Sequence, residues 1–253
     1  MSAASIFFTV WEAKKMPKSK IIIEAVNDEA PIEKSLRRLQ ILAHDVHNQE
    51  LETWAERELT GYASEDELPE YRKAASLNLT YVGFNGNLQV KGVSLPLSCL
   101  KEDTLDSVSK VDLREDIPSI VKLAESGPGG YRDLTILANE VFSQSGGQIQ
   151  CLKINQLIPS AHYRKVLAEV KNRIVKALLM LEDQYGKLDK LSFQVTPAKA
   201  AGTNEKINDA LKLPIPTVDC MPMHSKIVWS AIMPIATGMI GAILATLVCK
   251  LVG

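Results

Sequence analysis

Residues 76–97 read SLNLTYVGFNGNLQVKGVSLPL. Apolar and polar residues alternate on both sides of Asn85 and Gly86. A period of two is that of a strand with one buried face, and an Asn-Gly step between two such runs signals a hairpin. The stretch predicts a β-hairpin or meander. It decides the fold class, because the residues on either side follow mostly a helical period.

Upstream, residues 20–62 predict two or three helices. Ile21, Ile22, Ala25 and Val26 share one face; Leu36, Leu39, Leu42, Ala43 and Val46 share the next, after Pro31 at a helix start. Asn48 suits an N-cap, Leu51, Trp54, Ala55, Glu58 and Leu59 align behind it, and Gly61 suits the C-terminal stop in a left-handed conformation. Downstream, helical stretches are expected around 103–126, bent or broken at Pro118, and around 133–143, with a turn at Gly127, Pro128, Gly129 and Gly130. Residues 148–157 (QIQCLKINQL) alternate and predict another strand. Ser160 is then a plausible N-cap for the strongest helix. Its stripe of Val166, Leu167, Val170, Ile174, Ala177, Leu178, Leu181 and Tyr185 ends at Gly186. The sum is an α+β fold: a helical N-terminal part, a small antiparallel sheet and a long packing helix, over residues 20–195.

The ends differ from this domain. Residues 1–19 read as a peripheral segment, with Met16 an alternative start to Met1; the apolar run SIFFTVW is short and its lysines follow it, unlike an export signal. Residues 196–225 carry Pro197, Pro214, Pro216 and Pro222 and read as an extended tether, interrupted by a short helix near Asn204 to Leu211. Residues 227–249 read IVWSAIMPIATGMIGAILATLVC, 23 residues without a charge. At about 1.5 Å per residue a helix of that length covers about 35 Å, enough for a hydrocarbon core of about 30 Å. Lys226 and Lys250 bracket it, and Trp229 sits where an indole favours the membrane interface. Residues 226–250 therefore predict a single C-terminal transmembrane helix, kinked at Pro234. Gly238, Gly241, Ala242 and Ala245 form small-xxx-small pairs that let helices approach closely in lipid, which predicts a homo-oligomer. No ionisable side chain lies inside the span, which argues against a proton relay there. The expected topology is tail-anchored, with the N-terminal domain in the cytoplasm.

Composition narrows the function. The chain has 253 residues, a net charge of −1, 46% hydrophobic and 6% aromatic residues. Neither a disordered chain nor a binder acting through a broad basic field has such a composition, and few aromatics remain for stacking bases. No direct nucleic-acid contact is expected. Cys99, Cys151, Cys220 and Cys249 are dispersed, as in reduced thiols.

Three motifs have residue types that could carry chemistry. His44 and His47, one helical turn apart with Asp45 between them, begin a metal site or nuclease pair but lack further ligands in sequence. The loop 127–130 followed by Arg132 is glycine-rich but lacks the phosphate-loop spacing and its lysine. Cys99 or Cys151 with His162 has the residue types of a nucleophile and base, without support for proximity. The expectation is no catalytic residue, no metal, no cofactor and no enzyme.

The run 39–73, LQILAHDVHNQELETWAERELTGYASEDELPEYRK, is the most distinctive part of the domain. Its landmarks are Trp54, Glu58, Leu59, Gly61, Tyr62, Leu68, Pro69, Tyr71 and Arg72. On these it resembles the AbiTii-like abortive-infection proteins, over roughly residues 20–190. The resemblance implies a bacterial anti-phage role and supplies no catalytic mechanism. Read from chemistry, Trp54 and Tyr62 would pack a helix against the sheet, Pro69 would set a turn and Arg72 would pair with Glu58; Tyr71 and Arg72 lining a ligand groove beside the hairpin is the alternative. Together with the tail this predicts an effector in the bacterial inner membrane that oligomerises and perturbs the membrane on an infection signal, with lipid and a sensor protein encoded nearby as partners. A membrane-localised adaptor whose tail only anchors it is the alternative.

Overall fold

The computed structural model describes residues 17–190 and 197–212. The helices are α1 (Lys20–Val26), α2 (Ile32–Asp45), α3 (Gln49–Thr60), α4 (Glu102–Ser109), α5 (Ile117–Glu125), α6 (Ala138–Gln144), α7 (Ser160–Tyr185) and α8 (Pro197–Lys212). The strands are β1 (Lys73–Ala75), β2 (Leu79–Asn85), β3 (Leu88–Ser94), β4 (Lys110–Asp112), β5 (Gly129–Asp133) and β6 (Ile149–Pro159). The fold is α+β, with antiparallel sheets, as the changes of period predict. No helix among the described residues is long and apolar enough to cross a membrane. The predicted span 226–250, with Lys226, Trp229, Gly238, Gly241, Ala242, Ala245 and Lys250, lies outside the described residues, as does the segment 1–16.

Two apolar clusters divide the domain. The first is helical. α7, 26 residues long, presents Val166, Val170, Ile174, Leu178 and Leu181 to Leu36, Leu39 and Leu42 of α2 and to Ile117 and Ile120 of α5, all essentially without exposure. Truncating any of these leucines to alanine costs about 2–5 kcal/mol, since the site cannot collapse completely. The start of α1 is tied to the far end of α7 and the residues after it: the Ser19 amide donates to Glu182 Oε1 at 2.6 Å and the Lys20 amide to Asp189 at 2.7 Å. Burial opposes charge on Glu182, but hydrogen bonds from Lys18 and Ser19 outweigh it, and its pKa falls below the usual carboxylate value.

The second cluster lies under the four-stranded sheet, ordered β3-β2-β6-β5. Leu79, Tyr81, Ile149, Cys151 and Ile154 face Val108 of α4, Val141 of α6, Cys99 and Leu100. Tyr81 pairs with Ile154, and the register shifts between Val82 and Gly83. A separate ribbon, β1 with β4, adds Val111 and Ala74 to the first cluster. Gln156, fully buried on β6, donates to Ser76 O at 2.6 Å and Val108 O at 2.7 Å, which fixes the large sheet to the residue after β1 and to α4.

Several expectations shift. The hairpin turn is Gly86 and Asn87, one residue beyond the Asn-Gly step: Asn85 pairs with Leu88, and Gly86 at φ +57° has the sign the first central position of a type II′ turn needs. The stretch 103–126 is not one bent helix; β4 separates α4 from α5, and Pro118 sits in the first turn of α5, where its missing amide costs nothing. The helix around 133–143 begins only at Ala138, because Asp133 still belongs to β5. Ser160 is the first helical residue rather than the cap; Pro159 holds the cap position. The short helix near Asn204 is the second half of the 16-residue α8.

Candidate functional site

The distinctive landmarks meet at one point. Asn48 caps α3, accepting from the Leu51 amide at 3.0 Å, and the helix then carries Trp54, Glu58 and Leu59 toward the helical core. Gly61 ends it at φ +89° and ψ 172°, a positive φ but an extended ψ rather than the left-handed helical cap expected. The Tyr62 amide therefore donates to Arg114 O at 2.9 Å instead of to its own helix. A Cβ on Gly61 would lie 3.0 Å from that same carbonyl oxygen. Pro69, at φ −58°, precedes the short 3-10 turn Glu70–Arg72 and accepts from the Arg72 amide at 2.9 Å. This turn places Tyr71 and Arg72 against α3.

Glu58 is the centre. Its Oε1 accepts from Tyr62 Oη at 2.7 Å, Tyr71 Oη at 2.6 Å and Arg72 Nε at 3.2 Å; its Oε2 accepts from Arg72 Nη2 at 2.6 Å. Arg72 Nη1 donates to the carbonyls of Leu113 at 2.9 Å and Glu115 at 2.7 Å. The guanidinium also lies 4.7 Å from the centre of the Tyr62 ring. Trp54 Nε1 donates to Tyr71 Oη at 2.9 Å. Arg173 lies over the Tyr71 ring, 4.2 Å from its centre, and pairs with Glu169 at 2.6 Å. Glu58 and Arg72 have no solvent exposure.

Burial and the Glu58 charge raise the phenols of Tyr62 and Tyr71 far above the ordinary tyrosine value. Burial works against the charge of Arg72, and the Glu58 carboxylate more than restores it, so its pKa is raised. Neither phenol gives up a proton near neutrality. The arrangement is a clasp: it ties α3, the turn after Pro69, the segment 113–115 and α7 into one body. A buried pair of this kind is satisfied only if its remaining donors and acceptors are also met, as they are for this guanidinium and carboxylate.

Two expectations are corrected here. Trp54 and Tyr62 do not pack α3 against the sheet; α3 belongs to the helical cluster, and the sheet has α4 and α6 beneath it. Tyr71 and Arg72 do not line a groove beside the hairpin, because Arg72 is closed off and committed to Glu58 and two carbonyls. The pairing of Arg72 with Glu58 is as expected. Glu169 and Arg173 were not foreseen, although two charges at i and i+4 on the apolar stripe of α7 marked them.

The other motifs do not converge. His44 is exposed, 3.4 Å from Glu52, and His47 adopts φ +53° as the residue that lets α2 end. Among the described residues no group of three or more His, Cys, Asp or Glu side chains is placed to hold a metal. Cys99 and Cys151 are buried together in the second cluster, while His162 stands on the first turn of α7, at the opposite end of β6 from Cys151. Gly129 and Gly130 are not a free turn but the start of β5. A Cβ on Gly129 would lie 2.1 Å from Ile158 O, and one on Gly130 would lie 2.2 Å from Tyr163 Oη. These glycines serve close packing.

Fold and clasp together define an α+β domain organised about a buried Glu–Arg–Tyr cluster. The chain belongs to the AbiTii family, whose model matches residues 19–206. Membership places it in abortive-infection, anti-phage defence. No curated protein and no solved structure matches the chain.

Proposed function

We propose that the chain is a defence effector anchored in the bacterial inner membrane, acting there by oligomerisation and membrane perturbation on an infection signal. The observation that carries this is the uncharged run 227–249 between Lys226 and Lys250, C-terminal to the family match that ends at residue 206. One apolar helix cannot conduct ions, because its lipid-facing exterior offers no water path. Assembly of several helices, through Gly238, Gly241, Ala242 and Ala245, is therefore a requirement of the mechanism. The clasp serves this by making the helical part of the domain one rigid body able to transmit a contact with a sensor to the tail.

The second reading is a membrane-localised adaptor. It draws support from apolar side chains on the outer face of the sheet, where Leu152 and Tyr131 are about 60% exposed (59% and 61%). A tail of scrambled order and equal hydropathy separates the two. The effector loses phage protection with such a tail; an adaptor keeps it.

A further inference from the structure

We infer that α8 is a latch, docked on α7 and α3 through a polar seam weak enough to open apart from the rest of the domain. Its apolar anchorage is thin. Ile207 is fully buried, Ala200 and Ala210 are buried but small, and Leu211 is half-buried. Thr203 is buried beside them, and other contacts of α8 among the described residues are polar. Asn204 Nδ2 donates to Val46 O at 3.0 Å and His47 O at 3.4 Å, Arg173 Nε donates to Leu211 O at 3.4 Å, and Lys212 meets Glu50 at 3.2 Å between exposed side chains. An exposed pair of that kind contributes little.

The seam also contains a mismatch. The buried Oδ1 atoms of Asn204 and Asn208 accept no hydrogen bond among the described residues, and Asn48 Nδ2 donates none. Turning the Asn204 amide over would set its oxygen against two carbonyls, so its orientation is fixed and its Oδ1 keeps no partner among the described residues. Each such atom is shielded from bulk water and has no hydrogen-bond partner among the described residues. α7, by contrast, is held by five or more fully buried aliphatic side chains. A helix held so differently from its neighbour opens locally, below the energy of global unfolding. Its contact with Arg173, whose guanidinium lies on Tyr71, links its position to the clasp. Its last residue, Lys212, leads into the chain that carries the uncharged run. Opening of α8 is then the step that couples domain to tail, a coupling that rests on the membrane reading above.

Hydrogen exchange on the full-length protein in detergent reads the latch itself. Amides of 203–212 are expected to exchange at least 100-fold faster than those of 170–181. Asn208→Leu, which removes an orphaned acceptor, should slow α8 about tenfold, and Ile207→Ala should speed it about tenfold, with α7 unchanged. Equal protection of α8 and α7 in the unaltered protein, or faster α8 exchange in Asn208→Leu, overturns the latch. For the coupling, Asn208→Leu is expected to lower phage protection at least tenfold at equal protein level; full protection with slowed α8 exchange overturns the coupling. Failure of the membrane reading shows separately, as an unchanged membrane potential in infected cells carrying the unaltered chain.

Discussion

Glu58 holds four hydrogen bonds from three side chains, all of them buried. Replacing it with Gln leaves the Arg72 charge buried without a counter-charge, and urea unfolding is expected to show a loss of about 3–5 kcal/mol. The double change Glu58→Leu with Arg72→Met should recover only part of this. It removes both charges but leaves the Tyr62 and Tyr71 hydroxyls without their acceptor and the Leu113 and Glu115 carbonyls without their donor. Full recovery would show that the clasp contributes no polar specificity. The tyrosines give a pH signature. Burial, then the Glu58 charge, raises Tyr62 and Tyr71, and burial with the nearby Glu115 charge pushes Tyr163 up to about 12. A phenol raised on folding contributes stability that is complete below the unfolded value near pH 10 and disappears as the pH rises through the folded value. Stability is therefore expected to fall between about pH 10 and 12, with these phenolates appearing together with unfolding. Six tyrosines ionising freely before any loss of structure would contradict this assignment.

At the scale of elements, β5 and α7 meet where Gly130 lies under Tyr163. Gly130→Ala is expected to lower stability by about 1–3 kcal/mol through overpacking, and Tyr163→Phe in the same chain should relieve part of it by removing the hydroxyl that collides. An unchanged unfolding midpoint for Gly130→Ala would show that the contact is not close in solution. The elements most legible in the sequence were those with enough residues to show a period: α2, α3, the hairpin, β6 and α7. β1 and β4 have three residues each and β5 has five, too few for alternation to emerge. β5 was further concealed because Gly-Pro-Gly-Gly has turn composition, while its glycines answer a steric demand from Ile158 and Tyr163 that only the fold creates. Pro197 suggested an extended tether, yet proline is well suited to the first position of a helix, and α8 starts there. In the candidate site, Glu58 with Arg72 was legible as a complementary pair. Arg173 was not, because its helix stripe reads as core and its partner Tyr71 lies about a hundred residues away in sequence.

For the whole molecule, family membership gives the biological setting, and the uncharged run 227–249 supplies the proposed means of action. Replacing Gly238 and Gly241 with Leu is expected to weaken helix association without altering membrane insertion, because bulk at those positions holds the backbones apart. Cross-linking in membranes should show fewer oligomers, and phage protection should fall with them; undiminished oligomers would remove this packing face from the mechanism. The most direct measurement is the membrane potential of phage-infected cells that carry the unaltered chain, followed alongside survival of the culture. Depolarisation after infection, absent when the tail is scrambled, is the expected result. An unchanged potential in a culture that is still protected would contradict the proposal.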